Sequence, residues 1–329
     1  QYQIEGYHWM HFLHQYGWGG ILADDMGLGK TLQLITFLKS LIEKGIQKHL
    51  VVAPTSLLHN WQNEIDKFAP GLSYYIYHGT QREQQSLKSD KHQIIITSYG
   101  LLVSDIEYLK ALKFDYAILD ESQAIKNPAS KRYKAASLLQ ARNKLALTGT
   151  PVENNTFDLY AQMSFVNPGL FISMDHFRNN YATPIDKNGD QEAARELNKM
   201  IHPFIMRRTK EMVARELPPK TESVIYCHMD HEQRKVYDAF RNQYRNKLLG
   251  RIEEDGLENT KLDVLQALTK LRQVCNSPAL VKDEYQYGEQ SAKIRELTHH
   301  VREKTGHHKM LIFSQFVSML GLIRKELDN

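Results

Sequence analysis

Residues 24–31 read Asp-Asp-Met-Gly-Leu-Gly-Lys-Thr, and this stretch decides the fold of the N-terminal part of the chain. The Gly-x-Gly-Lys-Thr turn lets backbone N–H groups converge on an anion, because glycine adopts backbone angles that other residues resist. The lysine adds positive charge at the outer phosphates, and the threonine hydroxyl can reach a magnesium ion. The stretch therefore predicts a phosphate-binding loop.

The flanking residues supply the context that such a loop requires. Residues 20–23 have the composition of a short buried strand, and residues 31–44 carry apolar side chains at helical spacing. A strand, a glycine turn and a helix in this order aim the helix N-terminus at the phosphates. The longer pattern Gly-x-x-x-x-Gly-Lys-Ser/Thr has a glycine where this chain has Asp24. The alternative interpretation is a surface turn with a solvated lysine.

A pair of acidic residues marks a second candidate site. Residues 114–119 form an apolar run that ends in Asp120 and Glu121, which predicts two carboxylates at the tip of a strand. Nucleotide sites of parallel sheets are built at such tips. One carboxylate can hold magnesium, directly or through water, and the other can take a proton from an attacking water. The alternative is an acidic N-cap of a helix.

Composition limits the classes of protein that the chain can represent. Its 329 residues are enough for two domains, and 42% of them are hydrophobic. The 42 basic residues exceed the 38 acidic ones by four, so the net charge is only mildly basic. Any contact with nucleic acid must therefore come from local clusters of charge.

Cysteine usage and hydropathy favour a reducing, cytoplasmic environment. Cys227 and Cys275 lie far apart and lack Cys-x-x-Cys spacing, which argues against a disulfide scaffold or a zinc module. No run of eighteen apolar residues and no signal peptide is visible, so no membrane partner is predicted. The chain begins at Gln1 without methionine and is interpreted as a piece of a longer protein.

Apolar runs and helical patterns alternate along the first 150 residues. This alternation predicts a mostly parallel sheet covered by helices on both faces, with every strand-to-helix turn on one edge. The predicted strands are 20–23, 50–53, 74–77, 93–97, 116–119 and 144–147, and the predicted helices are 31–44, 56–68 and 130–140.

The remaining residues predict a different organisation. The pattern is helical from 156 to about 210, and consecutive prolines predict a linker at 216–222. A strand is expected at 223–228, followed by a helix that Asp230 caps and that runs through Leu249. A polar turn is expected at 253–259 and is followed by another helix. One further buried strand is expected at 309–313.

Taken together, these stretches resemble the Swi/Snf-type family of DNA-dependent ATPases, which belongs to superfamily 2 of helicase-like motors. The resemblance covers nearly the whole chain and follows the family's motif order, although Asp25 replaces the usual glutamate of motif I. The stretches that carry it are 2–9, 22–31, 51–61, 96–99, 120–123, 147–154, 207–210 and 311–316.

The resemblance implies an α/β fold with a RecA-like phosphate-loop lobe. Residues 1–155 would form its core with a parallel sheet, and residues 156–215 its helical extension. Residues 223–290 would be a helical insertion of a second RecA-like lobe, and residues 291–329 the truncated start of that lobe.

The family's ATP-binding roles transfer onto matching positions. The loop would hold ATP, with Lys30 neutralising the outer phosphates, while Thr31 and Asp120 hold magnesium and Glu121 orients or deprotonates the attacking water. Gln3 would read the adenine edge, since an amide donates and accepts at once, although alone it could be an ordinary surface residue. The other loop residues expected at the nucleotide are Asp25, Met26, Gly27, Leu28 and Gly29.

The resemblance implies that three polar residues couple the nucleotide state to the motion of the two lobes. These are Gln123, Thr148 and Thr150. Most family members carry histidine where Gln123 stands, and a glutamine amide can still bridge by hydrogen bonds but cannot titrate near neutral pH. Activity is expected to survive this change. The alternative for the two threonines is turn chemistry.

Double-stranded DNA is the expected partner. Hydroxyl and N–H groups can position backbone phosphates without reading sequence, and a basic run can add charge, although such a run is usually a solvated face. The residues expected there are Pro54, Thr55, Ser56, Thr97, Ser98, Arg207, Arg208 and Lys210.

The family's motifs V and VI, which include an arginine finger, are expected beyond Asn329. Losing such an arginine lowers the rate by about 10³–10⁵, so this chain by itself is expected to bind nucleotide weakly and hydrolyse it poorly. Further partners would be the remainder of the chain and possible proteins. The location would be cytoplasmic, nucleoid-associated in a bacterium, or nuclear in a eukaryote. Competing hypotheses are a nucleotide-gated binding module without turnover and an RNA helicase.

Overall fold

A computed structural model describes most of the chain. The description excludes residues 81, 83–86, 88–90, 150–155, 214–215, 217, 219–220, 282–287, 289–290, 305, 307 and 329, and it covers only the backbone of 251–259 and 304. The chain divides into two compact units, Gln1–Pro219 and Lys220–Asn329.

A seven-stranded parallel sheet forms the centre of the first unit. Its strands are β1 (Gly20–Leu22), β2 (His49–Ala53), β3 (Tyr74–Tyr77), β4 (Ile94–Ser98), β5 (Lys113–Leu119), β6 (Gln140–Leu147) and β7 (Ile205–Met206). The strand order is β3-β4-β2-β5-β6-β1-β7, and every pairing is parallel. This order brings the carboxyl ends of β1 and β5 to either side of β6.

Helices cover both faces of the sheet. They are α1 (Tyr2–Gln15), α2 (Lys30–Glu43), α3 (Leu58–Phe68), α4 (Tyr99–Ser104), α5 (Ile106–Leu109), α6 (Lys131–Ser137), α7 (Phe157–Val166), α8 (Met174–Phe177), α9 (Thr183–Asn188), α10 (Gln191–Ile201) and α11 (Lys210–Val213). Successive side chains of a strand point to opposite faces of the sheet, so the hydrophobic core has two halves. Val51 packs beneath α1–α3 on one face, and Val52 packs beneath α4–α7 on the other. Strands buried on both faces explain the continuous apolar runs of the sequence.

The predicted α/β fold with a parallel sheet is confirmed, and all six predicted strands are present. The helix predicted to run to residue 140 ends earlier, at Ser137, because Gln140 already begins β6. Strand β7 was missed, since two residues are too few to show a period. It pairs with β1 and extends the sheet by one strand.

The second unit contains three long helices, α12 (His231–Asn276), α13 (Ala292–Lys304) and α14 (Val317–Asp328). As predicted, Asp230 caps α12, and its carboxylate accepts a hydrogen bond from the Gln233 N–H at 2.9 Å. The Gln233 amide then donates to the Val274 carbonyl at 2.8 Å and accepts from the Ala292 N–H at 3.2 Å. One buried amide therefore ties both ends of α12 to the start of α13.

Two predictions for the second unit are wrong. The expected polar turn at 253–259 is not one of them: it lies within the bounds of α12, but the hydrogen bond between Gln233 and Val274, 41 residues apart, requires the chain to reverse direction between these residues. The turn therefore stays a prediction. The expected strands at 223–228 and 309–313 are irregular. A strand needs a neighbour to pair its N–H and C=O groups, and the described part of this unit contains no other strand. Of the expected linker at 216–222, residues 217, 219 and 220 lie outside the described residues, and the other four form no helix or strand. Among the described helices, none is long and apolar enough to cross a bilayer.

A buried histidine lies at the start of β2. The imidazole Nε2 of His49 donates to the Ile46 carbonyl over 3.0 Å, and Nδ1 has no hydrogen-bond partner among the described residues. Burial lowers the pKa of His49 from 6.5 to about 4. The folded chain therefore keeps this imidazole neutral.

This histidine predicts a loss of stability in acid. The unfolded chain takes up a proton below about pH 6.5 while folded His49 does not, so the free energy of unfolding should fall by about 3 kcal/mol between pH 6.5 and 4. Urea denaturation across this range should show the fall in the wild type and a shallower dependence in His49→Gln. His59→Gln, on the exposed side of α3, is the control. Equal pH slopes for the wild type and His49→Gln would contradict the prediction.

Candidate active site

The predicted phosphate loop connects β1 to α2. Gly27 and Gly29 have φ angles of +88° and +73°, and Gly29 caps α2 in the left-handed conformation. A Cβ at Gly29 would lie 2.4 Å from the Gln3 Nε2 atom. Both the backbone angle and the close approach of this amide therefore require glycine at position 29.

Lys30 is the first residue of α2, and its ammonium group contacts the loop. Its ammonium donates to the carbonyl oxygens of Asp24 at 2.7 Å and Asp25 at 3.3 Å. Burial lowers the pKa of Lys30, while the carboxylates of Glu121, Asp24, Asp120 and Asp25 oppose that change. The structure thus brings the lysine of the loop and the acidic pair, far apart in sequence, into one electrostatic environment.

Asp24 is fully buried and paired with Arg208. The guanidinium Nε lies 2.9 Å from Oδ1, and Nη2 lies 2.5 Å from Oδ2. Gln33 completes the cluster, because its amide donates to Asp24 Oδ2 at 3.3 Å and accepts from Arg208 Nη2 at 3.0 Å. Arg208 also donates to the Tyr2 carbonyl. Asp24, which stands where the longer phosphate-loop pattern has its first glycine, therefore anchors the loop through a bidentate ion pair with Arg208.

The segment after β7 runs alongside the loop. The Ala23 N–H donates to the Met206 carbonyl at 2.7 Å, and the Asp25 N–H donates to the Arg208 carbonyl at 2.9 Å. In return, the Lys210 N–H donates to the Asp25 carboxylate at 2.9 Å. These three bonds hold the loop and this segment together along their length.

Asp120 is held at the end of β5 by donors to both of its carboxylate oxygens. The Trp61 indole N–H donates to Oδ2 at 2.8 Å, and the Glu121 N–H donates to Oδ1 at 3.0 Å. Burial raises the pKa of Asp120, and the bond from Trp61 opposes this change. Each oxygen keeps a lone pair that can face a metal-bound water or a metal.

Glu121 has an unusual backbone conformation. Its φ of +49° is the only positive value among the described residues other than glycine. Its carboxylate accepts from the Gln123 amide at 2.7 Å, and the Gln123 carbonyl oxygen accepts from the Thr148 hydroxyl at 3.0 Å. A continuous chain of hydrogen bonds therefore joins the end of β5 to the end of β6. Thr150 lies outside the described residues.

A cleft borders the loop on the side of α1. Its volume is about 420 Å³. Its lining residues are Gln3, Ile4, Tyr7, His8, Leu32, Gln33 and Thr36. Gln3 also donates to the Leu28 carbonyl at 3.4 Å. The walls are mainly apolar with amide groups beside the loop, which is a suitable chemical environment for a flat heterocycle.

Three of the expected DNA contacts need correction. Thr97 is fully buried and donates to the Tyr77 carbonyl at 3.0 Å, and Ser98 is buried as the N-cap of α4. Arg208 is buried against Asp24, so none of the three can reach a duplex in this structure. Each side chain satisfies a polar group of the fold itself. Thr55, Ser56, Arg207 and Lys210 are exposed, and Pro54 is partly exposed.

The donor set is suitable for magnesium, although no cluster of three or more potential metal-ligating side chains occurs among the described residues. Magnesium is usually held by one or two protein ligands, with phosphate oxygens and water completing the shell. Thr31, in the first turn of α2, and Asp120 offer a hydroxyl and a carboxylate oxygen of the kind that magnesium prefers. The chemistry of the residues therefore fits the expected ion.

Sequence reasoning did not find every residue of the site. Gln33 and the pairing of Arg208 with Asp24 were not predicted, and Trp61 and Tyr99 fall in the motif stretches 51–61 and 96–99 without an assigned role. The helical position of Gln33, one turn after Gly29, was the only local signal. The other contacts join residues far apart in sequence.

The parallel sheet, the glycine loop and the acidic strand tip define a phosphate-loop protein of the RecA-like class. The SNF2-related domain family matches residues 2–280, so this chain belongs to that family. The family expected from the sequence motifs is thereby confirmed.

Known relatives agree with this assignment. The chain is 39% identical over 302 residues to a chromatin-remodeling ATPase INO80 of Sclerotinia sclerotiorum, an alignment covering 85% of this chain and 18% of that protein. It is 35% identical to the putative ATP-dependent helicase/translocase YwqA of Bacillus subtilis, over 99% of this chain and 36% of that protein. This chain therefore corresponds to roughly a fifth to a third of the length of these two relatives.

A solved structure supports the fold. The Sulfolobus solfataricus SWI2/SNF2 ATPase core in complex with dsDNA is similar to this chain, with a TM-score of 0.64 and 39% identity. The match covers 99% of this chain and 68% of that one. The same core domain described without DNA matches with a TM-score of 0.62.

Proposed function

We propose that this chain is the ATP-binding and ATP-hydrolysing part of a motor that moves along double-stranded DNA without separating its strands. The observation that carries the proposal is that the strand order places the loop after β1 and the acidic pair after β5 on either side of β6, at the same carboxyl edge of the sheet. The relatives' names, a translocase and an ATPase core in complex with dsDNA, support the choice of partner.

The loop residues bind the triphosphate. Catalysis of phosphoryl transfer consists mainly of positioning and charge neutralisation. Lys30 exchanges its two carbonyl partners for the outer phosphate oxygens, and the N–H groups around Gly27 and Gly29 approach the phosphates closely. Gln3 borders the cleft beside the loop, where its amide can pair with the adenine edge. Thr31 and Asp120 would hold magnesium, which neutralises phosphate charge when bound.

Glu121 activates the attacking water. Its carboxylate is oriented by the Gln123 amide, which is fixed in turn by Thr148. A carboxylate held in this way can align a water molecule and take its proton. The same chain of hydrogen bonds reaches β6, so we propose that it reports the nucleotide state to residues that follow that strand.

The exposed polar residues near the sheet edge contact the duplex. Thr55 and Ser56 lie in a short exposed turn before α3, and Pro54 precedes them. With Arg207 they can hold backbone phosphates, which positions DNA without reading its sequence. Lys210 lies closer to the nucleotide, because its Nζ is 3.8 Å from the position of a Cβ on Gly27. We therefore assign its charge to the phosphates of ATP.

The test is ATP hydrolysis by the longer parent protein with and without duplex DNA. We expect duplex DNA to stimulate turnover, single-stranded RNA to have little effect, and no strand separation. Lys30→Ala should abolish the stimulated activity, whereas Lys44→Ala at the exposed end of α2 should not. Failure of every nucleic acid to stimulate turnover would contradict the motor, and RNA-stimulated unwinding would favour a helicase.

A further inference from the structure

Two aromatic side chains converge on Asp120 from opposite faces of the sheet. Trp61 belongs to the core beneath α1–α3, and its indole N–H donates to the Asp120 carboxylate at 2.8 Å. Tyr99 belongs to the core on the other face, and its hydroxyl donates to the Asp120 carbonyl at 2.9 Å. Both rings are almost completely buried. Asp120 is therefore fixed at its side chain and its backbone by separate helices.

Both donors keep their protons under ordinary conditions. The indole N–H does not titrate, and burial raises the pKa of Tyr99 well above its usual value, with Asp120 and Glu121 adding to the effect. A hydrogen bond to a charged acceptor is stronger than one between neutral groups, so the indole restrains the carboxylate more firmly than packing alone would. Trp61 therefore fixes the position of the Asp120 carboxylate.

Trp61 is also close in sequence to the proposed DNA contact. The exposed residues Thr55 and Ser56 lie in a 3₁₀ turn, Thr55–Leu57, that continues directly into α3. Trp61 lies in the first turn of this helix. Because a short helix moves as a rigid element, a shift of the turn on a phosphate backbone would be passed to the indole. Tyr99 has no comparable exposed hydroxyl beside it, since its neighbour Ser98 is buried.

We propose that Trp61 and Tyr99 are positioning residues for Asp120, and that Trp61 transmits DNA contact at Thr55 and Ser56 to the Asp120 carboxylate. The second half of this inference rests on the proposed function. Tyr99 sets the backbone at the strand tip in every state. Trp61 improves the alignment of the carboxylate when the duplex is engaged.

The experiment compares Trp61→Phe and Tyr99→Phe in the parent protein. Turnover and the KM for ATP are measured with and without duplex DNA. We expect Trp61→Phe to lower DNA-stimulated kcat about tenfold with little change in KM, since one hydrogen bond to a charged group is lost. It should lower the unstimulated rate less. Tyr99→Phe should lower both rates by the same factor. Ile65→Val, which trims a buried side chain on the same helix, is the packing control and should keep the wild-type stimulation.

A second readout does not require turnover. Binding of a fluorescent ATP analogue is measured at fixed pH against magnesium concentration. If the indole holds the carboxylate that would share the metal, Trp61→Phe should need several-fold more magnesium for half-maximal binding, whereas Ile65→Val should not. The wild-type magnesium dependence in Trp61→Phe would overturn the positioning role.

The outcomes separate the two proposals. Lack of stimulation in the wild-type parent would refute the DNA motor, while the magnesium dependence of nucleotide binding would still decide whether Trp61 positions Asp120. Wild-type stimulation by DNA together with an unchanged stimulation ratio in Trp61→Phe would overturn the coupling and leave the motor intact.

Discussion

Replacing Glu121 with glutamine is expected to lower ATP turnover by about 10²–10⁴-fold while ATP still binds, because a glutamine amide cannot take a proton from the attacking water. The geometry should survive, since the new amide oxygen can accept the Gln123 hydrogen bond that the carboxylate accepts at 2.7 Å. The variant should therefore retain nucleotide in a trapped, unhydrolysed state. Single-turnover kinetics and nucleotide retention on a filter are the measurements.

The matched control is Glu107→Gln. Glu107 is an exposed residue of α5 that pairs with Lys110 at 2.7 Å, and its replacement should leave turnover unchanged. The experiment also distinguishes a motor from a nucleotide-gated binding module. A passive module would bind and release ATP equally well with either residue at position 121. Turnover of Glu121→Gln within threefold of the wild type would exclude the proposed role of this carboxylate.

The second large effect concerns the buried pair of Arg208 and Asp24. Replacing Arg208 with alanine leaves an ionised carboxylate buried without its partner, which typically destabilises a protein by about 3–5 kcal/mol. We expect a loss of this size in urea denaturation, together with weaker ATP binding, because Asp24 lies within the phosphate loop. The free energy of unfolding of Arg208→Lys should lie between those of the wild type and Arg208→Ala, since lysine keeps the charge but not the bidentate geometry.

Arg207→Ala is the control for this prediction. Arg207 is the exposed neighbour, and its replacement should change the free energy of unfolding by less than about 0.5 kcal/mol. Replacing both partners, as in Asp24→Leu with Arg208→Met, should restore much of the stability because no charge then stays buried. Equal, small effects of Arg207→Ala and Arg208→Ala on stability, with weaker DNA binding in both, would favour the original interpretation of a basic DNA-binding run.

Local sequence patterns predicted the sheet and the two parts of the catalytic cluster, namely the glycine loop and the acidic pair Asp120 and Glu121. Apolar runs that alternate with helical patterns identified six strands, and glycine at positions 27 and 29 identified the loop whose positive φ angles the structure shows. These features depend on neighbours within a few residues, so a single sequence contains them. The errors fell where the local pattern was weak, as in the two-residue strand β7.

The partners of the cluster could not be predicted in this way. Arg208 was interpreted as a DNA contact because it belongs to a basic run that can add charge at phosphates, whereas strand order places it beside Asp24, 184 residues away. Thr97 and Ser98 have hydroxyls suited to phosphate, but the fold uses them internally. Polarity of a side chain does not reveal whether its partner is water, DNA or the protein itself.

What the amino-acid sequence determined by itself is the chemistry available to this protein: a glycine turn with Lys30 and Thr31 after one strand, and Asp120 with Glu121 after another. What only the tertiary structure decided is which groups these residues meet. Strand β6 lies between β1 and β5, and β7 closes against β1. The physical reason is that turn and helix preferences act over a few residues. Ion pairs and buried hydrogen bonds depend instead on which distant strands become neighbours when the core is buried.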